Sequence, residues 1–123
     1  MRLEHVNLTV TDPEKSAEIL GRIFDWHVRW EGPSLMGGRT VHVGTDDDYL
    51  ALYTPGDPGP AHERGDVGGL QHIGVLVDDL DTIEERVLAE GYRPHTHMTY
   101  EPGRRFYFDD RDGIEFEVVS YTT

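Results

Sequence analysis

An internal repeat constrains the fold of this 123-residue chain more than any other feature. Residues 3–12 read LEHVNLTVTD and residues 70–79 read LQHIGVLVDD, so a histidine, alternate aliphatic residues and a closing aspartate occupy equivalent places. Each copy continues into a helical pattern, a turn and short strands. Such self-similarity indicates two copies of one structural unit. We therefore predict a single domain, residues 1–123, built from modules 1–55 and 68–123.

The hydrophobic pattern of each module predicts one helix and several short strands. Aliphatic and polar residues alternate in the opening strands, as expected for strands with one buried face. The first helix is predicted to begin with Asp12 as N-cap and Pro13 at its first position, and the second to start near Asp79 and stop at Gly91. The second helix is expected to bury Leu80, Ile83, Val87 and Leu88. Segment 56–67, rich in proline and glycine, is interpreted as a linker.

In each module the helix is expected to pack on the apolar face of the sheet. The opposite faces of the two sheets are expected to line a shared concavity. The chain is therefore predicted to be an α+β protein. Strand alternation places the following side chains on the second face: His5, Asn7, Thr9, Tyr49, Ala51, Tyr53, His72, Glu115 and Glu117.

The composition excludes several classes of protein. The chain has no cysteine, which rules out disulfides, zinc-thiolate sites and cysteine nucleophiles. Lysine and arginine number 11 against 24 acidic residues, a formal charge of -13, and the basic residues form no run that would follow a phosphate backbone. We therefore expect no nucleic-acid partner.

The same charge balance suggests a surface adapted to high salt, because self-repulsion of an acidic surface is relieved by screening. No apolar stretch approaches the length of a membrane helix, and the amino terminus has no signal-peptide pattern. We accordingly expect a cytoplasmic protein with no membrane partner.

Three motifs are informative together: LEHV at 3–6, LQHI at 70–73 and FYFDDRDGIEFE at 106–117. They resemble motifs of the vicinal oxygen chelate superfamily, which includes glyoxalase I, extradiol dioxygenases, fosfomycin resistance enzymes and bleomycin resistance proteins. In the third motif, Arg111 stands where that family usually has proline. The resemblance covers the whole chain. It implies two βαβββ modules that form an open, cupped mixed sheet around a central cavity holding a divalent metal.

By the same resemblance, metal ligands come from the first and last strands of the modules, at His5, Ala51, His72 and Glu117. Alanine cannot bind a metal, and its methyl group weakens the glyoxalase interpretation. The remaining two histidines and one carboxylate suit Fe(II) or Mn(II), with Zn or Ni also possible, at one ion per chain. The alternative is a metal-free cavity of the bleomycin-resistance type.

Two further residues are candidates for catalysis. Tyr107 lies ten positions before Glu117, where the resemblance implies a tyrosine that touches substrate or a metal-bound oxygen. The alternative is a strand aromatic that packs at the rim of the sheet. His97 is a candidate acid–base residue, with an exposed loop histidine as the alternative. Substrate-binding candidates are Asn7, Thr9, Tyr49, Tyr53 and Arg104.

The sequence therefore favours a metal-dependent enzyme that binds a small oxygenated metabolite by bidentate chelation, of extradiol dioxygenase or glyoxalase-like lyase type. A fosfomycin-resistance-type thiol transferase and a metal-free drug- or metabolite-binding protein are the alternatives. We also expect a homodimer. The substrate, the metal and the pairing of modules, within one chain or between two, stay open at this stage.

Overall fold

A computed structural model describes residues 1–34, 37–60, 63–100 and 103–122. The chain divides into two compact units, Met1–Pro60 and Ala61–Thr123, called the first and the second unit below. Residues 61 and 62 of the predicted linker lie outside the described part.

The first unit contains β1 (His5–Thr9), α1 (Pro13–Phe24), β2 (His27–Pro33), β3 (Arg39–Gly44) and β4 (Tyr49–Thr54). The second unit contains β5 (Ile73–Leu76), α2 (Leu80–Ala89), β6 (His95–Tyr100), β7 (Gly103–Asp109) and β8 (Glu115–Ser120).

The two units have the same sheet topology. The strand orders are β1-β4-β3-β2 and β5-β8-β7-β6. In each sheet the first strand pairs parallel with the last one, and the remaining pairs are antiparallel. The prediction of an α+β chain with two βαβββ modules is confirmed.

Both helices begin at the predicted caps. The Asp12 carboxylate accepts a hydrogen bond from the Lys15 backbone N–H at 3.1 Å, and the Asp79 carboxylate accepts one from the Thr82 backbone N–H at 3.2 Å. Each bond satisfies an N–H group that has no partner within the helix. These caps fix where each helix begins after the first strand of its unit.

The core of each unit lies between its helix and one face of its sheet. Core side chains of the first unit include Leu8, Val10, Leu20, Ile23, Val41, Val43, Leu50 and Leu52. Those of the second unit include Val75, Leu80, Ile83, Val87, Phe106, Phe108, Phe116 and Val118. Because successive strand residues point to opposite faces, the residues between these core positions lie on the face away from the helix.

The prediction that Leu88 is buried is wrong, since its side chain is 57 % exposed. The buried stripe of α2 consists of Leu80, Ile83 and Val87. Leu88 lies about 100° around the helix from Val87, which turns it away from the sheet.

Candidate metal centre

Glu117 of β8 lies at the centre of a polar cluster in the second unit. Its Oε1 lies 3.0 Å from Nε2 of His72 and accepts a hydrogen bond from the Tyr107 hydroxyl at 3.1 Å. Its Oε2 accepts a hydrogen bond from Nη1 of Arg105 at 2.8 Å. The Glu117 side chain is only 13 % exposed. Both carboxylate oxygens of Glu117 therefore have side-chain partners.

Strand register explains why these residues meet. Tyr107 of β7 pairs directly with Glu117 of β8. Alternation along β7 places Arg105 on the same face as Tyr107, while Phe106 between them is fully buried on the helix side. His72 immediately precedes β5, which runs parallel to β8.

The His72–Glu117 geometry fits two ligands of one metal ion. Ligand atoms about 2.1 Å from an ion and at right angles to each other lie about 3 Å apart, which matches the Nε2–Oε1 distance of 3.0 Å. Nδ1 of His72 contacts the side-chain Oε1 of Gln71. A proton held on Nδ1 by that contact leaves the lone pair of Nε2 available for a metal.

In the first unit, His5 belongs to an aromatic cluster. The His5 ring stacks on Tyr49 with centroids 5.0 Å apart, and Tyr49 stacks in turn on His42 at 4.6 Å. The guanidinium of Arg29 lies 4.3 Å from the centre of the Tyr49 ring, a cation–π contact. Nδ1 of His5 lies 3.0 Å from a carboxylate oxygen of Glu4, so a proton on Nδ1 would leave the lone pair of Nε2 available to a ligand.

His42 is not among the site residues predicted from the sequence. In the first unit His42 pairs with Ala51, just as Tyr107 pairs with Glu117 in the second. His42 is thus the repeat equivalent of Tyr107, and Ala51 that of Glu117. Burial lowers the pKa of His42, and the charges of His5 and Arg29 act in the same direction. Aligning the third strands of the two modules would have revealed this equivalence.

The predicted substrate-binding residues of the first unit lie on the face away from α1. Asn7 and Thr9 are exposed on β1, and Thr9 pairs with the half-buried Tyr53 of β4. Tyr49 pairs with His5 at the start of the same two strands. These four residues therefore share one side of the sheet with His5.

Two other predicted site residues lie on the helix side of the second sheet. His97 contacts Glu84 of α2 at 2.7 Å and stacks on the buried Phe106 ring. Arg104 donates to Asp81 of α2 at 3.2 Å. Within the second unit, both residues lie on the face opposite to Glu117.

The structure thus brings together His72, Glu117 and Tyr107. It adds Arg105, which is not among the predicted site residues. His5 lies in the other unit, so the set of three ligands stays a prediction.

Comparisons with known proteins agree with this architecture. The family model of the Glyoxalase/Bleomycin resistance protein/Dioxygenase superfamily matches residues 2–118. A trivalent organoarsenical cleaving enzyme of Bacillus sp. (strain MD1) is 28 % identical over 127 residues, covering 95 % of this chain and 71 % of that protein.

Solved structures give the same result. The glyoxylase/bleomycin resistance protein/dioxygenase domain from Frankia sp. EAN1pec has a TM-score of 0.83 at 24 % identity, covering 98 % of this chain and 97 % of that one. The fosfomycin resistance protein FosX from Listeria monocytogenes, in complex with Mn(II) and sulfate, has a TM-score of 0.73 at 22 % identity, covering 97 % and 91 %.

Proposed function

This chain belongs to the Glyoxalase/Bleomycin resistance protein/Dioxygenase superfamily, and from that premise we propose that it is a metal-dependent enzyme that binds a small oxygenated molecule by bidentate chelation. The reaction type we favour is that of an extradiol dioxygenase or a glyoxalase-like lyase. The observation that carries this proposal is the cluster in which the His72 imidazole and the Tyr107 hydroxyl meet at one oxygen of Glu117.

We assign His72, Glu117 and His5 as the metal ligands, with Fe(II) or Mn(II) as the preferred ion. Two imidazoles and one carboxylate leave other coordination positions for substrate oxygens. When bound, such an ion acidifies the oxygens it holds and stabilises negative charge that develops on them. The Tyr107 hydroxyl, which donates to Oε1 of Glu117 in the structure, would then be placed to donate a hydrogen bond to that charge.

Ala51 favours the dioxygenase over the lyase. It is the repeat equivalent of Glu117, and a methyl group there supplies no fourth protein ligand. A coordination position therefore stays available for dioxygen or a second substrate oxygen. Asn7, Thr9, Tyr49 and Tyr53 are proposed to contact the substrate. His97 and Arg104 receive no role, because both contact α2.

Cleavage of a trivalent organoarsenical, the activity named for the Bacillus relative, is a less favoured function. Soft centres are held preferentially by thiolates, and this chain has no cysteine. A substrate that binds through oxygen atoms fits the residues present. Fosfomycin is such a molecule and belongs in any substrate screen.

The decisive experiment is elemental analysis of protein purified without chelator or a metal-affinity tag. We expect about one divalent ion per chain in the wild type and in His27→Ala, which removes an exposed histidine paired with Asp46. His72→Ala and Glu117→Gln should lose the ion while keeping the far-UV circular dichroism of the wild type.

One ion per chain retained by His72→Ala as purified, with no metal added, would overturn the ligand assignment. Wild-type protein free of metal, and unable to bind Fe(II) or Mn(II) on addition, would favour the metal-free binding protein. Four assays of the metal-loaded protein distinguish the candidate reactions. They measure oxygen uptake with catechols, isomerisation of a hemithioacetal, modification of fosfomycin and cleavage of methylarsenite.

A further inference from the structure

A second group of side chains with potential metal-ligand atoms lies further along the same face of the second sheet. Ligand atoms of His95, Asp109 and Glu115 all lie within 4.8 Å of one another. Asp109 and Glu115 are direct partners across β7 and β8, and His95 pairs with Tyr107 at the start of β6. The backbone pairing of three strands thus fixes the group.

One ring nitrogen of His95 is buried beside the acidic pair. Its Nδ1 lies 2.8 Å from the Thr96 hydroxyl, and its buried Nε2 has no hydrogen-bond partner among the described residues. Nε2 lies 3.5 Å from Oδ2 of Asp109. A proton on Nδ1, donated to Thr96, leaves the lone pair of Nε2 directed at the acidic pair, as in histidines that bind metals.

Thr96 adopts a φ of 54°, which is rare for a β-branched residue. The irregular pairing of β6 between His95 and Met98 occurs at the same place. Together these features turn the His95 ring toward Asp109 and separate it from His97, which faces α2. The two histidines therefore have different partners although only one residue lies between them.

A cation already occupies the group. Arg64 donates to Oε2 of Glu115 at 2.8 Å, to Oδ1 of Asp109 at 3.0 Å and to the backbone carbonyl of Gly113 at 2.8 Å. One guanidinium thus pairs with both carboxylates. The Arg64 side chain is 38 % exposed, so it can move into solvent without disturbing the core.

The turn between β7 and β8 presents the carbonyl oxygen that Arg64 uses. Oδ1 of Asp110 accepts hydrogen bonds from the backbone N–H groups of Asp112 and Ile114, both at 2.9 Å. Gly113 has a φ of 77°, a conformation favourable to glycine. The turn is therefore held by its own hydrogen bonds when Arg64 is removed.

We propose that His95, Asp109 and Glu115 form a second divalent-cation site, distinct from the site around Glu117, and that Arg64 occupies it until a metal ion displaces the guanidinium. One imidazole, two carboxylates and the Gly113 carbonyl make a mainly oxygen donor set, which suits Mn(II). Displacement releases the Arg64 side chain from Asp109 and Glu115. The proposal does not depend on the function proposed above.

The test uses the full-length His72→Ala protein, in which the site around Glu117 is disabled. After dialysis against a chelator, Mn(II) is titrated in and free Mn(II) is measured by electron paramagnetic resonance. We expect one ion per chain at micromolar to millimolar Mn(II). Adding Arg64→Gln should tighten binding roughly tenfold, because hydrogen bonds between charged groups no longer compete with the ion.

Adding His95→Ala should abolish that binding, and adding Asp109→Asn, which keeps the side-chain shape, should weaken it at least tenfold. His97→Ala is the matched control, since it removes a histidine from the same strand and should leave Mn(II) binding unchanged. Circular dichroism checks the fold of every variant.

The proposal is overturned if the His72→Ala protein binds no Mn(II), or if its Mn(II) binding survives both His95→Ala and Asp109→Asn. An affinity unchanged by Arg64→Gln would disprove the competition with Arg64. If instead Glu117 holds no metal, the wild type and His72→Ala should bind the same number of Mn(II) ions per chain, which distinguishes the two proposals.

Discussion

Arg105 and Glu117 form an ion pair of 2.8 Å whose side chains are 12 % and 13 % exposed. The pair neutralises the Glu117 carboxylate before any metal arrives. It also occupies Oε2, so that Oε1 is the oxygen that faces His72 and Tyr107. Arg105 is therefore a positioning residue for the proposed metal ligand.

Arg105→Met should destabilise the metal-free protein by roughly 2–4 kcal/mol, because it leaves a mostly buried carboxylate without its cation. Added Mn(II) or Fe(II) should raise the melting temperature of Arg105→Met more than that of the wild type, since the ion replaces the missing charge. Arg104→Met is the control, because Arg104 is half exposed and pairs with Asp81 of α2. Equal metal-induced shifts in Arg105→Met and wild type would contradict this role.

Tyr107→Phe should lower turnover about ten- to a thousand-fold while metal content stays unchanged, because one positioned donor is worth a few kcal/mol in a transition state. Turnover and elemental analysis on the same sample separate the two effects. Tyr121→Phe serves as the control, as Tyr121 is 54 % exposed outside the site. Loss of metal in Tyr107→Phe would instead assign the tyrosine to metal binding.

The Asp79 carboxylate should contribute to a loss of protein stability at acidic pH. Hydrogen bonds from the Thr82 hydroxyl and backbone N–H lower the pKa of Asp79 below its usual value of 3.8. The native state therefore binds fewer protons than the unfolded state in that range, so the contribution of Asp79 is complete above about pH 4 and is lost as pH falls through the lowered pKa.

Asp79→Asn keeps a good N-cap residue and should remove this part of the acid dependence, whereas Asp79→Ala should lower the melting temperature at neutral pH as well. Thermal melts of the three proteins between pH 2 and 7 check both statements. Identical acid profiles for wild type and Asp79→Asn would show that other carboxylates dominate.

Salt should stabilise the protein. At a formal charge of -13, self-repulsion destabilises the folded chain, and screening reduces that repulsion. The melting temperature at pH 7 should rise as sodium chloride increases from about 0.01 to 1 M. The rise should shrink near pH 4.7, the isoelectric point, so an equal rise at both pH values would exclude a charge effect.

We expect a two-fold homodimer. Each four-stranded sheet has two edge strands, β1 and β2 in the first unit and β5 and β6 in the second, and natural proteins cover or pair such edges. Sedimentation equilibrium at micromolar concentration and moderate salt should give twice the chain mass of 14.0 kDa. A monomer under these conditions would contradict the expectation.

The sequence by itself determined the repeated architecture, because local rules decide it. Asp12 and Asp79 can cap helices wherever they precede one, and alternate aliphatic residues must bury one face of a strand. The same alternation placed Glu117 on the face away from α2. Its cross-strand pairing with Tyr107 follows from the short turn between β7 and β8.

Only the tertiary structure decided which partners these residues have. Arg64 lies 51 positions from Glu115, and no local pattern predicts that contact. Strict alternation would place His95 and His97 on one face of β6, yet His95 faces Asp109 and His97 faces Glu84. The irregularity between His95 and Met98 shifts the alternation. Such a bulge forms through pairing with the neighbouring strand, so the side that each histidine faces is set by the folded sheet.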